Sequence, residues 1–324
     1  MLIKKVSLWV RKVNGDGIHS EYGALLRYTQ DYHKRLSIIR KVLVQEKEMF
    51  EGRKATLKMK EVNANDLIAG VVNTFTLKVE KYNAAVRDKS ISDLQLVSWL
   101  LGECSNVEEV KEAVKKVHVI NIDPRASTVH WRFAEPSGRQ LVLEIIKGEL
   151  HFYENTLGVL TNSPSFEWHL TNLNNYVNLF PGTAPNQQLG NIELSSFGAG
   201  SGFLGIPGDV TPPSRFVRAA FYQSSAPQQE TALETVFQCF QILNNFDIPV
   251  GIEFPLGQVP CDIPSATQWT SVTDMRNHVI YYRTMYNSVI RNIDLRSIDF
   301  STVRYRAVSM DGTKRQAVET IKIE

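Results

Sequence analysis

Three cysteines, Cys104, Cys239 and Cys261, are the first nucleophile candidates in this sequence. They are far apart and odd in number, so they outline neither a disulfide framework nor a zinc site. Cys104 sits at a joint between two helical stretches. Cys239 falls on an apolar helical face, where a free thiol behaves as a small hydrophobe, and Cys261 lies between Pro260 and Pro264. Seven histidines (His19, His33, His118, His130, His151, His169, His278) never recur at ligand spacing, so neither a metal nor a cofactor is expected. Gly200-x-Gly202-x-x-Gly205 has the form of a dinucleotide loop, but that motif needs a strand before it and a helix after it. Pro207, Pro212 and Pro213 follow, so a flexible loop is expected. Two polar residues remain. Asn162, just ahead of Pro164, reads on residue type alone as readily as a turn cap, and Arg215, behind Pro212-Pro213, as a surface ion pair.

The elements that must position these residues follow from hydrophobic period. Residues 1–13 alternate loosely and read as a strand ending at Asn14-Gly15-Asp16-Gly17. Apolar stripes predict helices over 32–50 (Leu36, Ile39, Leu43, Phe50) and around Leu67, Val71, Phe75 and Val79. Residues 90–117 read as two helices. Strands are expected at 129–135, 140–146, 149–153 and 158–161, then a helix over 165–178 and another over 233–243. The last strands are expected at 268–272, 278–284, 290–295 and 316–323. Short strands at hairpin spacing, flanked by helices, predict an α+β fold with antiparallel sheets.

Hydrophobic residues make up 43% of the 324 and charged residues 22%, the balance of an ordinary globular chain. No apolar run approaches the roughly 20 residues of a membrane span, and the first residues do not read as a secretory signal, so a cytoplasmic protein without a membrane partner is expected. The net charge of +2 hides an asymmetry: residues 1–90 hold 18 Lys/Arg against 10 Asp/Glu, the remainder 18 against 24. The break predicts two segments, a basic, largely helical 1–89 and a second domain over 90–324. The basic stretch near 34–60 is interleaved with Glu46, Glu48, Glu51 and Glu61, which favours a solvated helix face over nucleic-acid binding.

Four motifs stand in order: Thr161-Asn162-Ser163-Pro164, Leu173-Asn174-Asn175-Tyr176, Gly205-Ile206-Pro207-Gly208-Asp209 and Ser214-Arg215-Phe216-Val217-Arg218. Together with Trp99-Leu100-Leu101-Gly102-Glu103-Cys104-Ser105 they resemble the choloylglycine hydrolase and penicillin V acylase family. These are linear-amide C–N hydrolases of the N-terminal-nucleophile superfamily. The resemblance runs from about residue 90 onward, with scattered likeness before residue 32.

That resemblance implies a four-layer αββα sandwich, its N-terminal strands here incomplete or replaced. It implies hydrolysis of a small amide substrate such as a conjugated bile acid, penicillin V or an acyl amide. The family's nucleophile is an N-terminal cysteine whose own α-amine is the base. Asn162 would then help bind the oxyanion, and Arg215 would polarise the nucleophile region and order the site's carboxylate. In this sequence residue 2 is Leu and no cysteine precedes Cys104. Two functions are therefore expected as alternatives: an amide hydrolase with impaired turnover, or a non-catalytic binding protein that keeps the scaffold, with 1–89 available to a partner. The long segment 182–208 implies a homo-oligomer, because in family members it reaches a neighbouring subunit.

Overall fold

The computed structural model describes residues 7–10, 68–73, 89–93, 95–120, 129–258, 266–299, 308–316 and 318–323. The helix expected over 32–50 and Cys261 lie outside the described residues.

Two four-stranded antiparallel sheets organise the chain. Each takes one strand from before residue 90. Strand β1 (Ser7–Val10) pairs with a strand at Trp269–Asp274, and β2 (Ile68–Asn73) pairs with one at Val129–Ala134. The helix expected around Leu67–Val79 is thus a strand over Ile68–Asn73. Ile68, Val71 and Val72 are β-branched and Gly70 weakens a helix, so pairing with a neighbour overrides the apolar period. A short strand β3 (Ser90–Ser92) precedes the two helices, α1 (Leu96–Glu103) and α2 (Val107–Val114), and pairs in parallel with β4 (His118–Ile120). Asn106 caps α2 by accepting from Glu109 N–H, and Val107, Val110 and Val114 form its fully buried stripe.

Strands β5 (Val129–Ala134), β6 (Gln140–Ile146) and β7 (Glu149–Glu154) complete the β2 sheet. Alternation divides its side chains. Trp131, Phe133, Leu141, Leu143 and Ile145 form one core with α1 and α2. Val142, on the other face, packs with Phe166, Phe216, Ala219 and Ala220. The same parity puts His130, Arg132 and Glu144 on that second face, where all three are buried.

The segment 158–161, expected as a strand, is irregular. Side chains take the place of a neighbouring strand. Arg132 Nη2 donates to Gly158 O at 3.2 Å, Asn155 Nδ2 to Val159 O at 3.1 Å, and His130 Nε2 to Thr161 O at 2.7 Å. Carbonyls satisfied in this way need no ladder. Helix α3 (Phe166–Asn172) follows, capped by Ser165 and continued as a 3-10 turn over Leu173–Tyr176. Strands β8 (Gln187–Leu189) and β9 (Ile192–Leu194) form an exposed hairpin within 182–208. At the base of that segment Phe180 N–H donates to Gly202 O at 3.0 Å. A Cβ at Gly202 would stand 2.4 Å from Phe180 O, so only glycine permits the approach.

Helix α4 (Pro212–Ser225) begins at the two prolines that seemed to exclude a helix. Proline is accepted in the first turn, where a missing N–H costs no hydrogen bond. Helix α5 (Ala232–Asn244) starts with a Thr231/Glu234 capping box. Its buried residues Val236, Cys239, Phe240 and Leu243 pack on Val272, Tyr281 and Ile290. Those three belong to β10 (Trp269–Asp274), β11 (Val279–Thr284) and β12 (Asn287–Asp294), which with β1 make the second sheet. No strand forms at 316 or 318–323. Val318, Ile321 and Ile323 are exposed, and the recorded tie to β12 is Ser288 N–H donating to the Gln316 side chain. No described helix is long and apolar enough to cross a membrane.

Candidate functional site around Asn162 and Arg215

The irregular segment after β7 delivers Asn162 to the start of α4. Arg215, in the first turn of that helix, donates from Nη2 to Asn162 Oδ1 at 2.7 Å and from Nε to Val210 O at 3.0 Å. Thr161 Oγ1 adds a second tie by donating to Pro212 O at 3.1 Å. The two candidate residues, distant in sequence, therefore form one unit. The plain alternative for Arg215, a surface ion pair, does not hold: it is 2% exposed and makes no ion pair with a carboxylate among the described residues. Burial, then the nearby Arg218 charge, lowers its pKa to about 10, which still leaves it cationic at neutral pH. An unpaired buried charge costs several kcal/mol. The carboxylate that the resemblance assigned to Arg215 is therefore not supplied by the described residues.

Arg218, one turn on, donates from Nη1 to Pro207 O at 2.6 Å and to Asp209 O at 2.8 Å, and its guanidinium lies 5.4 Å from the Phe246 ring centroid. It holds the Gly205–Asp209 turn against α4. Asp209 accepts from Ser214 Oγ and from Thr211 N–H, which lowers its pKa to about 2. Its carboxylate thus holds the first turn of α4 and is not aimed at Arg215.

Beside Arg215 lies a small cavity of about 20 Å³, room for roughly one water, lined by Val159, Leu160, Thr161, Ala219, Leu243 and Phe246.

Three further residues, His130, Glu144 and His169, were read from the sequence only as an unpaired pair of histidines and a strand residue. His130 and Glu144 are cross-strand partners, fully buried, with His130 Nδ1 2.9 Å from Glu144 Oε1. Phe166 N–H donates to the same Oε1 at 2.8 Å. His169 on α3 donates from Nε2 to Asn162 O at 2.8 Å. The sequence signal that could have found His130 and Glu144 is their opposed placement in adjacent strands of matching parity.

Cys104 and Cys239 are buried thiols. Burial is the largest cause pushing Cys104 up to about 11, with Glu109 and Glu103 adding to it, and burial pushes Cys239 up to about 12. Both are protonated at neutral pH, and a thiol is a poor nucleophile. Neither lines the cavity.

Residues 58–308 match the sequence pattern of the linear amide C-N hydrolases, choloylglycine hydrolase family. The chain belongs to that family. It is 36% identical to a bile salt hydrolase/transferase of Clostridium perfringens over 201 residues, 61% of this chain and 60% of that protein. It is also 36% identical over 237 residues to a bile salt hydrolase/transferase of Lactiplantibacillus plantarum, 70% of this chain and 69% of that one. A solved structure of a mutant conjugated bile acid hydrolase from Clostridium perfringens superimposes with a TM-score of 0.68 at 30% identity, covering 80% of this chain and 78% of the other. The match to the first of these relatives thus spans less than two thirds of its length. The fold is that of the N-terminal-nucleophile amide hydrolases.

Proposed function

We propose that this polypeptide binds a small anionic acyl amide at the Arg215–Asn162 pair and does not turn it over. The observation that carries this reading is the buried Arg215 guanidinium, bonded to Asn162 Oδ1 and without a carboxylate partner among the described residues. A bound carboxylate, or the polarised carbonyl of an amide, would supply the missing negative charge. Asn162 accepts from Arg215 through Oδ1 and so stands beside the charge that would meet the ligand. Amide hydrolysis is the activity of the family. The mechanism needs a thiolate beside a base, about 3 Å from the carbonyl carbon, and Cys104 and Cys239 meet neither condition.

The second reading is a hydrolase, favoured by the two relatives named bile salt hydrolase/transferase. One experiment separates the two. Calorimetry with a glycine-conjugated bile acid and with penicillin V is paired with an assay for released glycine or phenoxyacetate. Binding without release, abolished by Arg215→Ala, supports the first reading. Release that survives Cys104→Ala shows another nucleophile, and release lost with Cys104→Ala returns that cysteine to the mechanism.

The rest of the reading concerns assembly. We infer a four-layer αββα sandwich, supported by two antiparallel sheets with α1 and α2 on one and α5 on the other. The division into 1–89 and 90–324 is proposed on the change in charge character at that point. A homo-oligomer built through 182–208 is supported by the exposed Leu189, Ile192, Leu194, Phe197 and Leu204. Free buried thiols favour a cytoplasmic location.

A further inference from the structure

We propose that His169 is the positioning residue that locks Asn162 and Arg215 into a single unit. The ring works on two sides at once. Its Nε2–H donates to the Asn162 carbonyl at 2.8 Å, with Thr161 Oγ1 3.4 Å from the same nitrogen. Its face stacks on Phe216, the residue after Arg215, with centroids 4.6 Å apart and planes 8° apart. One rigid side chain therefore fixes the peptide that aims Asn162 and the helical turn that aims Arg215.

The tautomer follows from the partners. A carbonyl can only accept, so Nε2 carries the proton, and Nδ1 is left buried without a hydrogen-bond partner among the described residues. An unsatisfied buried nitrogen destabilises the fold. A role that needs both a donor and a flat ring accounts for a histidine at this position. Phenylalanine would supply the ring alone, and glutamine the donor alone. The Trp168 ring meets the imidazole nearly at right angles, with centroids 5.6 Å apart.

The inference rests on the Asn162–Arg215 geometry, and its test needs no ligand, so it stands or fails apart from the binding reading. The readout is hydrogen exchange of the Arg215 Nε–H, followed by nitrogen NMR in the whole chain, with the Leu143 amide as a control in the opposite core. His169→Phe should speed Arg215 exchange by at least about tenfold, while His169→Gln stays within about threefold and Leu143 is unchanged in both. Unchanged Arg215 exchange in His169→Phe would overturn the proposal. So would equal acceleration at Leu143, the mark of a purely structural role. Should His169→Phe fail to fold, the wild-type nitrogen shifts decide: an Nε2–H tautomer supports the proposal, and an Nδ1–H tautomer refutes it.

Discussion

The backbone N–H of Phe166 donates to the Glu144 carboxylate at 2.8 Å, so a strand residue anchors the first turn of the helix that follows the candidate site. The same oxygen lies 2.9 Å from His130 Nδ1, and His130 Nε2 donates to Thr161 O. The pair thus ties the loop to the sheet through both ring nitrogens of His130. Through it, strands β5 and β6 clamp both ends of the loop 161–166.

Breaking the clamp should be costly. Glu144→Ala leaves Phe166 N–H and His130 Nδ1 without a buried partner, and should destabilise the fold by about 3 kcal/mol or more. Glu144→Gln keeps an acceptor for Phe166 and should cost about half as much. Urea unfolding followed by circular dichroism measures both, and equal losses would show that packing rather than the acceptor matters.

Charge at Asn162 should trade binding for stability. Asn162→Asp gives Arg215 the carboxylate partner it lacks. We expect stabilisation by about 1 kcal/mol from the charge-assisted bond. The new carboxylate should also repel an anionic ligand and weaken its binding at least about tenfold. Calorimetric titration and thermal melts on one sample check both signs, and a destabilised variant that still binds would contradict the arrangement.

Acid should loosen the site. Burial lowers the His169 pKa from 6.5 to about 4, with the nearby His130 and Arg215 charges acting the same way and the Asn162 hydrogen bond and Glu144 opposing them. Between those two values the unfolded chain binds the proton and the folded chain does not. Stability is therefore fully present above pH 6.5 and falls as pH drops toward 4, by at most on the order of 3 kcal/mol. His169→Gln should flatten that part of the stability profile. A wild-type profile that is level from pH 7 to 4.5 would disprove the assignment.

The exposed hairpin makes a separate prediction. Phe197 is fully exposed, and Leu189, Ile192 and Leu194 stand out with it. Deleting 186–202 should leave a folded monomer in sedimentation velocity, where the parent sediments as an oligomer; a parent that is already monomeric would end this reading.

Local signals were enough for much of this protein. Val107, Val110 and Val114, or Thr231 with Glu234, declare their helices because spacing and capping are properties of neighbouring residues. Strand β6 was legible from Gln140 to Ile146 because turn signals bound it on either side. The motif order likewise brought Asn162 and Arg215 forward as a pair before any distance between them was known. What the tertiary structure alone decided was every feature set by a distant partner. Ile68–Asn73 became a strand because β5 offers it a ladder. Residues 158–161 did not become one, because Arg132, Asn155 and His130 reach their carbonyls first. The burial of Arg215, the service of His130 and Glu144 to the Asn162 loop, and the protonation of both described thiols depend on which groups exclude water. That is decided only when strands and helices far apart in the chain close over them.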